Sequence, residues 1–251
     1  MALNIYEQKD FRGGLNLRSD QFQLSDNESP EMLNVEIDPR GGVFSRGGMS
    51  RINPDDVALG TWNPLGLYTF YGSTNKLMLS NNSRVFYQSG TNFAVLNHSG
   101  GNVSVSSSNG AGFASWGSRL YITTGTSGTA SYYWDGSSNA VALSVSGPTW
   151  QARSSATAGY FPKAEHVVQH TNKMFVANTI EDGVAKPNRL RWSDESLPTN
   201  WVYDDYIDIE AGGNGITGIA VVNGVLVIFK PSAVYALYGY DHTDFRITNI
   251  S

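Results

Sequence analysis

The sequence predicts an all-β protein, a β-propeller-like array of four-stranded antiparallel blades behind an amino-terminal arm, and three observations carry that expectation. The first is composition. Of 251 residues, 28 are Ser, 27 Gly, 21 Asn and 16 Thr, while only 16% are charged. Gly and Asn take positive φ cheaply, and Ser and Thr bond to nearby backbone, so this is turn chemistry rather than helix chemistry. The second is a succession of short β-branched and aromatic runs bounded by turn residues. The third is that these runs fall into four groups of four, with group starts separated by 47, 52 and 52 residues.

Other classes fall away quickly. No apolar run approaches the ~18 residues of a membrane-spanning helix, and the start MALNIYEQKD has no signal-peptide core. Cysteine is absent, which removes disulfides, thiolate metal sites and thiol nucleophiles together. A formal charge of −5 argues against a surface that grips nucleic acid phosphates. Aromatic residues, at 12%, are sufficient for a core.

Residues 1–60 read as an arm rich in charge. Within it, 25-SDNESPEMLNV-35 is the best helix candidate in the chain. Ser25, Asp26 or Asn27 could cap it, and Pro30 suits a first turn, where its missing N–H costs nothing. Asn34–Ile37 and Val43–Arg46 then alternate across Pro39-Arg40-Gly41-Gly42, which reads as a hairpin.

Residues 61–251 read as the propeller-like domain of about four blades. The first unit comprises 65-LGLYTFY-71, 76-KLMLS-80, 84-RVFYQ-88 and 92-NFAVLN-97. The second comprises 112-GFASW-116, 119-RLYITT-124, 130-ASYYW-134 and 140-AVALSV-145. In the third are 164-AEHVVQH-170, 173-KMFVAN-178, 188-NRLRW-192 and 206-YIDI-209, and in the fourth 216-ITGIAVV-222, 225-VLVIF-229, 233-AVYALYG-239 and 245-FRITNI-250. The turn between the first two runs recurs as Thr74-Asn75, Gly117-Ser118, Thr171-Asn172 and Asn223-Gly224; Asn-Gly between apolar runs is a strong hairpin signal. Second runs are apolar throughout, as expected of strands buried on both faces, and third runs are aromatic, as suits packing between stacked sheets. A β-sandwich with evenly spaced strands is the competing architecture.

Motifs that would carry chemistry are weak. His166 and His170 are spaced i, i+4, but on a strand that separation is ~13 Å, too far for two ligands of one metal. His98 and His242 stand alone in loops. Gly213-Asn214-Gly215-Ile216-Thr217-Gly218 matches a dinucleotide fingerprint literally, yet its glycines precede a strand instead of opening a helix. Asp194, Glu195, Asp204, Asp205, Asp208 and Glu210 lie among Trp192, Trp201, Tyr203 and Tyr206. Carboxylates among aromatics are what a glycosidase or glycan-binding loop needs, and Trp201, Tyr203, Asp204 and Asp205 are the candidates for that reading. The plain alternative is a solvated connection between the third and fourth units.

The segment 10–53 contains Phe11-Arg12-Gly13-Gly14-Leu15-Asn16, then Asp26-Asn27, Asn34-Val35 and Asp38, then Gly41-Gly42, Arg46 and Gly47. This order resembles the amino terminus of bacteriophage virion proteins that include the tail nozzle (tubular protein B) of short-tailed phages and related propeller-bearing tail proteins. Two downstream stretches, 188-NRLRWSDESLPTNW-201 with 206-YIDI-209, and 221-VVNGVLVIFKPSAVYALYG-239, continue the likeness. The resemblance implies a non-enzymatic structural role without a cofactor, in a tail nozzle or tube-associated ring. It further implies a homo-oligomer, six-fold in the family, that holds neighbouring tail proteins and lets genomic DNA pass its lumen without specific binding. The place would be the virion tail, after assembly in the host cytoplasm. Family members are usually longer, so the chain reads as a compact four-blade member or as an incomplete ring.

Under that resemblance Phe11, Arg12, Gly13, Gly14, Asn16, Arg40 and Arg46 are the candidate inter-subunit contacts. Gly13 and Gly14 are expected at φ < 0 where the backbone approaches a neighbour, whereas Gly41 and Gly42 are expected to supply positive φ in the hairpin.

Overall fold

The computed structural model describes residues 9–48, 64–105, 108–126, 130–143, 150, 153 and 161–251. Its internal contacts divide the chain into Met1–Ile52 and Asn53–Ser251. The expected boundary at residue 60 and the end of the 140–145 run lie outside the described residues.

In the arm, Val35–Ile37 pairs antiparallel with Val43–Ser45, as the alternation predicts. The turn between them follows from its residues. Asp38 Oδ1 accepts the Arg40 N–H at 2.7 Å, Pro39 presets φ, and Gly41 closes the turn at φ +97°. Gly42 has no positive φ, contrary to the expectation for the pair. The expected helix over 25–35 is absent. A single 3-10 turn, Gln21–Gln23, is capped instead by Asp20, whose carboxylate accepts the Phe22 N–H. Beyond it Glu28–Ser29 pairs in parallel with Gly14–Leu15. Pro30 explains the difference, because it disfavours the α region at Ser29 and leaves too few residues beyond for a stable helix.

The second unit contains four four-stranded antiparallel sheets, each a meander of consecutive strands. The first holds Gly66–Tyr71, Asn75–Ser80, Val85–Ser89 and Asn92–Val95, and the second Gly112–Trp116, Arg119–Thr123, Tyr132–Trp134 and Val141–Ala142. The third holds Lys163–His170, Lys173–Glu181, Val184–Trp192 and Tyr206–Asp208, and the fourth Gly218–Val222, Val225–Lys230, Ala233–Tyr238 and Arg246–Asn249. All sixteen expected runs thus contribute strand to the sheet in which the sequence placed them. First strands approach one another in chain order, first sheet to second, second to third and third to fourth.

Cores lie between successive sheets, and period-two alternation distributes the side chains. Leu120 and Ile122 of the second sheet pack with Phe70 and Met78 of the first, while Tyr121 between them packs with Phe161 and Val176 of the third side. Phe175 and Ala177 turn to the opposite face, toward Leu226 and Ile228 of the fourth sheet. Second strands of the inner sheets are therefore buried on both faces, as expected. The run Val225–Phe229 differs. Its Leu226 and Ile228 are buried, but Val225 and Val227 are half-buried and Phe229 is exposed, because no further sheet covers that side among the described residues. Third-strand aromatics Phe86, Tyr132, Trp134, Trp192 and Tyr235 are buried.

Candidate functional site

The arm motif folds upon itself. Gly13 N–H bonds Asn27 O at 3.0 Å, Phe11 N–H bonds Gly41 O at 3.0 Å, and Arg46 N–H bonds Asn34 O at 2.8 Å. Asn16 donates to Glu28 Oε2 at 2.9 Å, and its own oxygen accepts the N–H groups of Arg18 and Ser19. The three motif segments are thus brought together by one another. Gly13 is a close-approach glycine, as expected, but the neighbour is its own chain: an added Cβ would lie 2.6 Å from Glu28 Cγ and 2.7 Å from Asn27 O. Gly14 sits at φ +71°, not at the negative φ anticipated, because it turns the chain into the parallel pair with Glu28.

The arginines divide. Arg12 is engaged within the arm, donating Nε and Nη2 to Asp10 at 2.6–3.0 Å. Those bonds hold the exposed Asp10 carboxyl down to about 2. Arg40 and Arg46 extend exposed side chains. No described apolar side chain of the arm is buried, whereas Phe22 is 96%, Leu33 78% and Leu17 77% exposed. Phe11, Met32, Leu33, Val35 and Val43 instead line a hollow of about 210 Å³.

The acidic and aromatic cluster is placed differently from a glycan-binding loop. Trp201 is fully buried, packed edge-on against Phe161 at 5.0 Å. Asp205 is buried and accepts from both terminal guanidinium nitrogens of Arg153, Nη1 and Nη2, at 3.0 and 2.8 Å. Asp208 takes Arg189 in the same bidentate manner, at 2.7 and 2.8 Å. Tyr203 and Asp204 are exposed. The four candidates are therefore neighbours in sequence, not a joint solvent-facing surface.

Behind this cluster lies a charge network that the sequence did not reveal. Asn178, at φ +55°, bulges the second strand of the third sheet, and the register shifts between Ala177 and Thr179. Beyond the shift, Thr179 and Glu181 reach the face that carries Arg189 and Arg191. Glu181 accepts from Thr179 Oγ1, Arg189 Nη1, and Nε and Nη2 of Arg191, at 2.8–3.0 Å. Arg191, with no exposed surface, also donates to the carbonyls of Val202 and Tyr203 and lies 4.1 Å over the Trp150 ring. Arg189 lies 3.5 Å over Tyr206. Burial alone would raise the Glu181 pKa, but the hydrogen bonds and charge of Arg191, with Thr179 and Arg189, lower it. These groups neutralise and satisfy one another, so the network fastens the 201–208 connection to its sheet. The only forewarning in the sequence was the alternation of Arg189 and Arg191 with Leu190 and Trp192, which gives the strand one charged and one apolar face.

The remaining motifs have plain positions. His166 is on a strand, with Nε2 3.2 Å from Ile216 O, and His170 packs near Phe175; burial lowers the pKa of each. Gly213 and Gly215 take positive φ in the turn that leads into the fourth sheet. No family model matches this chain, and no curated protein matches it in sequence.

Proposed function

We propose that this chain is a structural, non-enzymatic subunit of a bacteriophage tail. In this reading it is a propeller-like component of a nozzle- or tube-associated ring, built from several copies, that holds neighbouring tail proteins around the DNA channel. The single observation that carries the reading is the succession of four meanders packed face to face with their first strands adjacent in chain order. Successive blades of a propeller would pack in this way, which supports the reading, and it stands beside the tail-protein-like motif order of the arm.

Two further features support assembly. The arm leaves Leu17, Phe22 and Leu33 uncovered, and the far side of the fourth sheet presents Val222 and Phe229. Uncovered apolar side chains of this kind suit burial against other subunits. The mechanism is mechanical: the blades give a stiff wall, the arm fastens it to neighbours, and an acidic chain does not hold DNA phosphates. Of the two candidate carboxylates, Asp205 is buried and held by Arg153 while Asp204 is exposed, so they do not form a paired acid and base, which favours the structural reading. Mass measurement in solution with electron microscopy of the purified protein tests the assembly. Annular oligomers are expected, and a monomer at every concentration would count against a ring.

A further inference from the structure

Lys230 ends the second strand of the fourth sheet, Val225–Lys230, and is buried at 5% exposed. Burial disfavours the ammonium and lowers its pKa, although the Glu210 carboxylate opposes this. Its Nζ donates to Asn188 Oδ1 at 3.0 Å and to Ile209 O. Asn188 lies 42 residues earlier, on the third strand of the third sheet, Val184–Trp192. One hydrogen bond thus places the lysine amine beside a carboxamide of the neighbouring sheet, with the amide carbon one bond from the atom it touches.

That carboxamide is held at both of its polar atoms. Oδ1 also accepts the Gly215 N–H at 2.9 Å, and Nδ2 donates to Glu210 Oε2 at 3.0 Å. The backbone fixes both partners: Ile209 N–H bonds Asn188 O at 2.9 Å and Ile216 N–H bonds Pro187 O at 2.8 Å, so the segment between them is tied to the Asn188 strand at each end. Ile209 and Ile216 are themselves buried. Each contact has a chemical consequence. A lysine whose charge is disfavoured by burial is the form in which an amine attacks a carbonyl. A backbone N–H on the carbonyl oxygen stabilises the negative charge that develops there during attack. A carboxylate against the amide nitrogen can deliver the proton that turns it into a leaving group. Nucleophile, polarised carbonyl and proton carrier therefore converge on one side chain, already within the range of a near-attack arrangement.

We infer that Lys230 and Asn188 form an isopeptide bond that joins the third and fourth sheets covalently, with Glu210 as the proton carrier. This stands independently of the tail assignment. Glu210 takes a proton from the Lys230 ammonium, and the neutral amine attacks Asn188 Cγ to form the Nζ–Cγ bond. Glu210 relays this proton and a second one from Nζ to Nδ2, the Cγ–Nδ2 bond breaks, and the nitrogen leaves as an ammonium ion. The new amide keeps one N–H, Glu210 ends as a carboxylate, and no oxidant or co-reactant is consumed. The test is mass spectrometry of the full chain, intact and after digestion, with the folded protein sampled over time. The mass should be lower by one ammonia, and digestion should yield a branched peptide joining the segments around 188 and 230. Lys230→Gln should keep its full mass. Glu210→Gln, at an exposed position, should fold as the parent does by circular dichroism yet lose ammonia about a hundredfold more slowly, as expected when acid–base assistance is removed. The inference is overturned if the folded parent keeps its full mass, or if the lost ammonia maps to a linear peptide, as a succinimide at Asn223-Gly224 would. It is equally overturned if Lys230→Gln loses ammonia too, or if folded Glu210→Gln cross-links as fast as the parent.

Discussion

Replacing Glu181 with alanine is the sharpest test of how the third sheet is held. The carboxylate is nearly buried and accepts four hydrogen bonds, three of them from Arg189 and Arg191. Alanine would leave the wholly buried Arg191 with only the Val202 and Tyr203 carbonyls. Arg189 would keep Asp208, so the loss concentrates on one cation. Removing one partner of a buried ion pair costs about 3–5 kcal/mol, and in a unit of this size ~1 kcal/mol shifts Tm by about 2–4 °C. The expected fall is therefore about 6–20 °C. Glu181→Gln, which keeps an acceptor but loses the charge, should lie between the parent and Glu181→Ala. Calorimetry and urea unfolding followed by circular dichroism would read both, with an unchanged m-value showing that the folded state is the same. A loss below about 1 kcal/mol for Glu181→Ala would refute the assignment of this network as the fastening of the 201–208 connection.

Acid should act on the same network. Burial raises the Glu181 pKa but the Arg191 and Arg189 contacts lower it, and Arg189 hydrogen bonds lower that of Asp208. A folded pKa below the unfolded one, near 4, means stability that is present above that value and lost as pH falls through the folded pKa. Tm should thus drop steeply below about pH 4, and less steeply in Glu181→Gln; equal slopes would contradict this. In the arm, Gly41→Ala should speed amide exchange across the Val35–Ile37 hairpin, since Gly41 has φ +97° and an added Cβ would lie only 2.9 Å from Asp10 Oδ1. Gly13→Ala should likewise loosen the 13–28 pairing, whereas Gly47→Ala, whose added Cβ meets nothing within 4 Å, should not change exchange. Deleting residues 1–52 should leave the melting of the four sheets unchanged while abolishing assembly, because among the described residues the hydrophobic clusters include none from the arm. An unfolded deletion product, by circular dichroism, would show that the arm completes the core.

The sheets were legible because their determinants are local. Period-two alternation, the Asn223-Gly224 and Thr171-Asn172 turns, and the Asp38–Gly42 turn each act within a few residues, and each appears where the sequence placed it. Failure came where a local signal competed with another or where partners were distant. The capping residues near Ser25 favoured a helix, but Pro30 held Ser29 extended and Glu28 paired with Gly14 instead. For Gly13 the close approach was foreseen, though not that Asn27 of its own chain makes it. Glu181 and Arg191 are ten residues apart and meet only because a bulge at Asn178 shifts the register of the strand, which no periodicity reports. Asp205 and Trp201 carried the residue types of a glycan site, yet their burial depended on Arg153 and Phe161, some 40–50 residues earlier.

Cryo-electron microscopy of the intact phage particle tests the central claim most directly. The account predicts density for this chain in the tail, repeated around the channel, with its four sheets forming the wall and residues 9–48 against neighbouring subunits. A particle whose tail contains no density for this chain would contradict it.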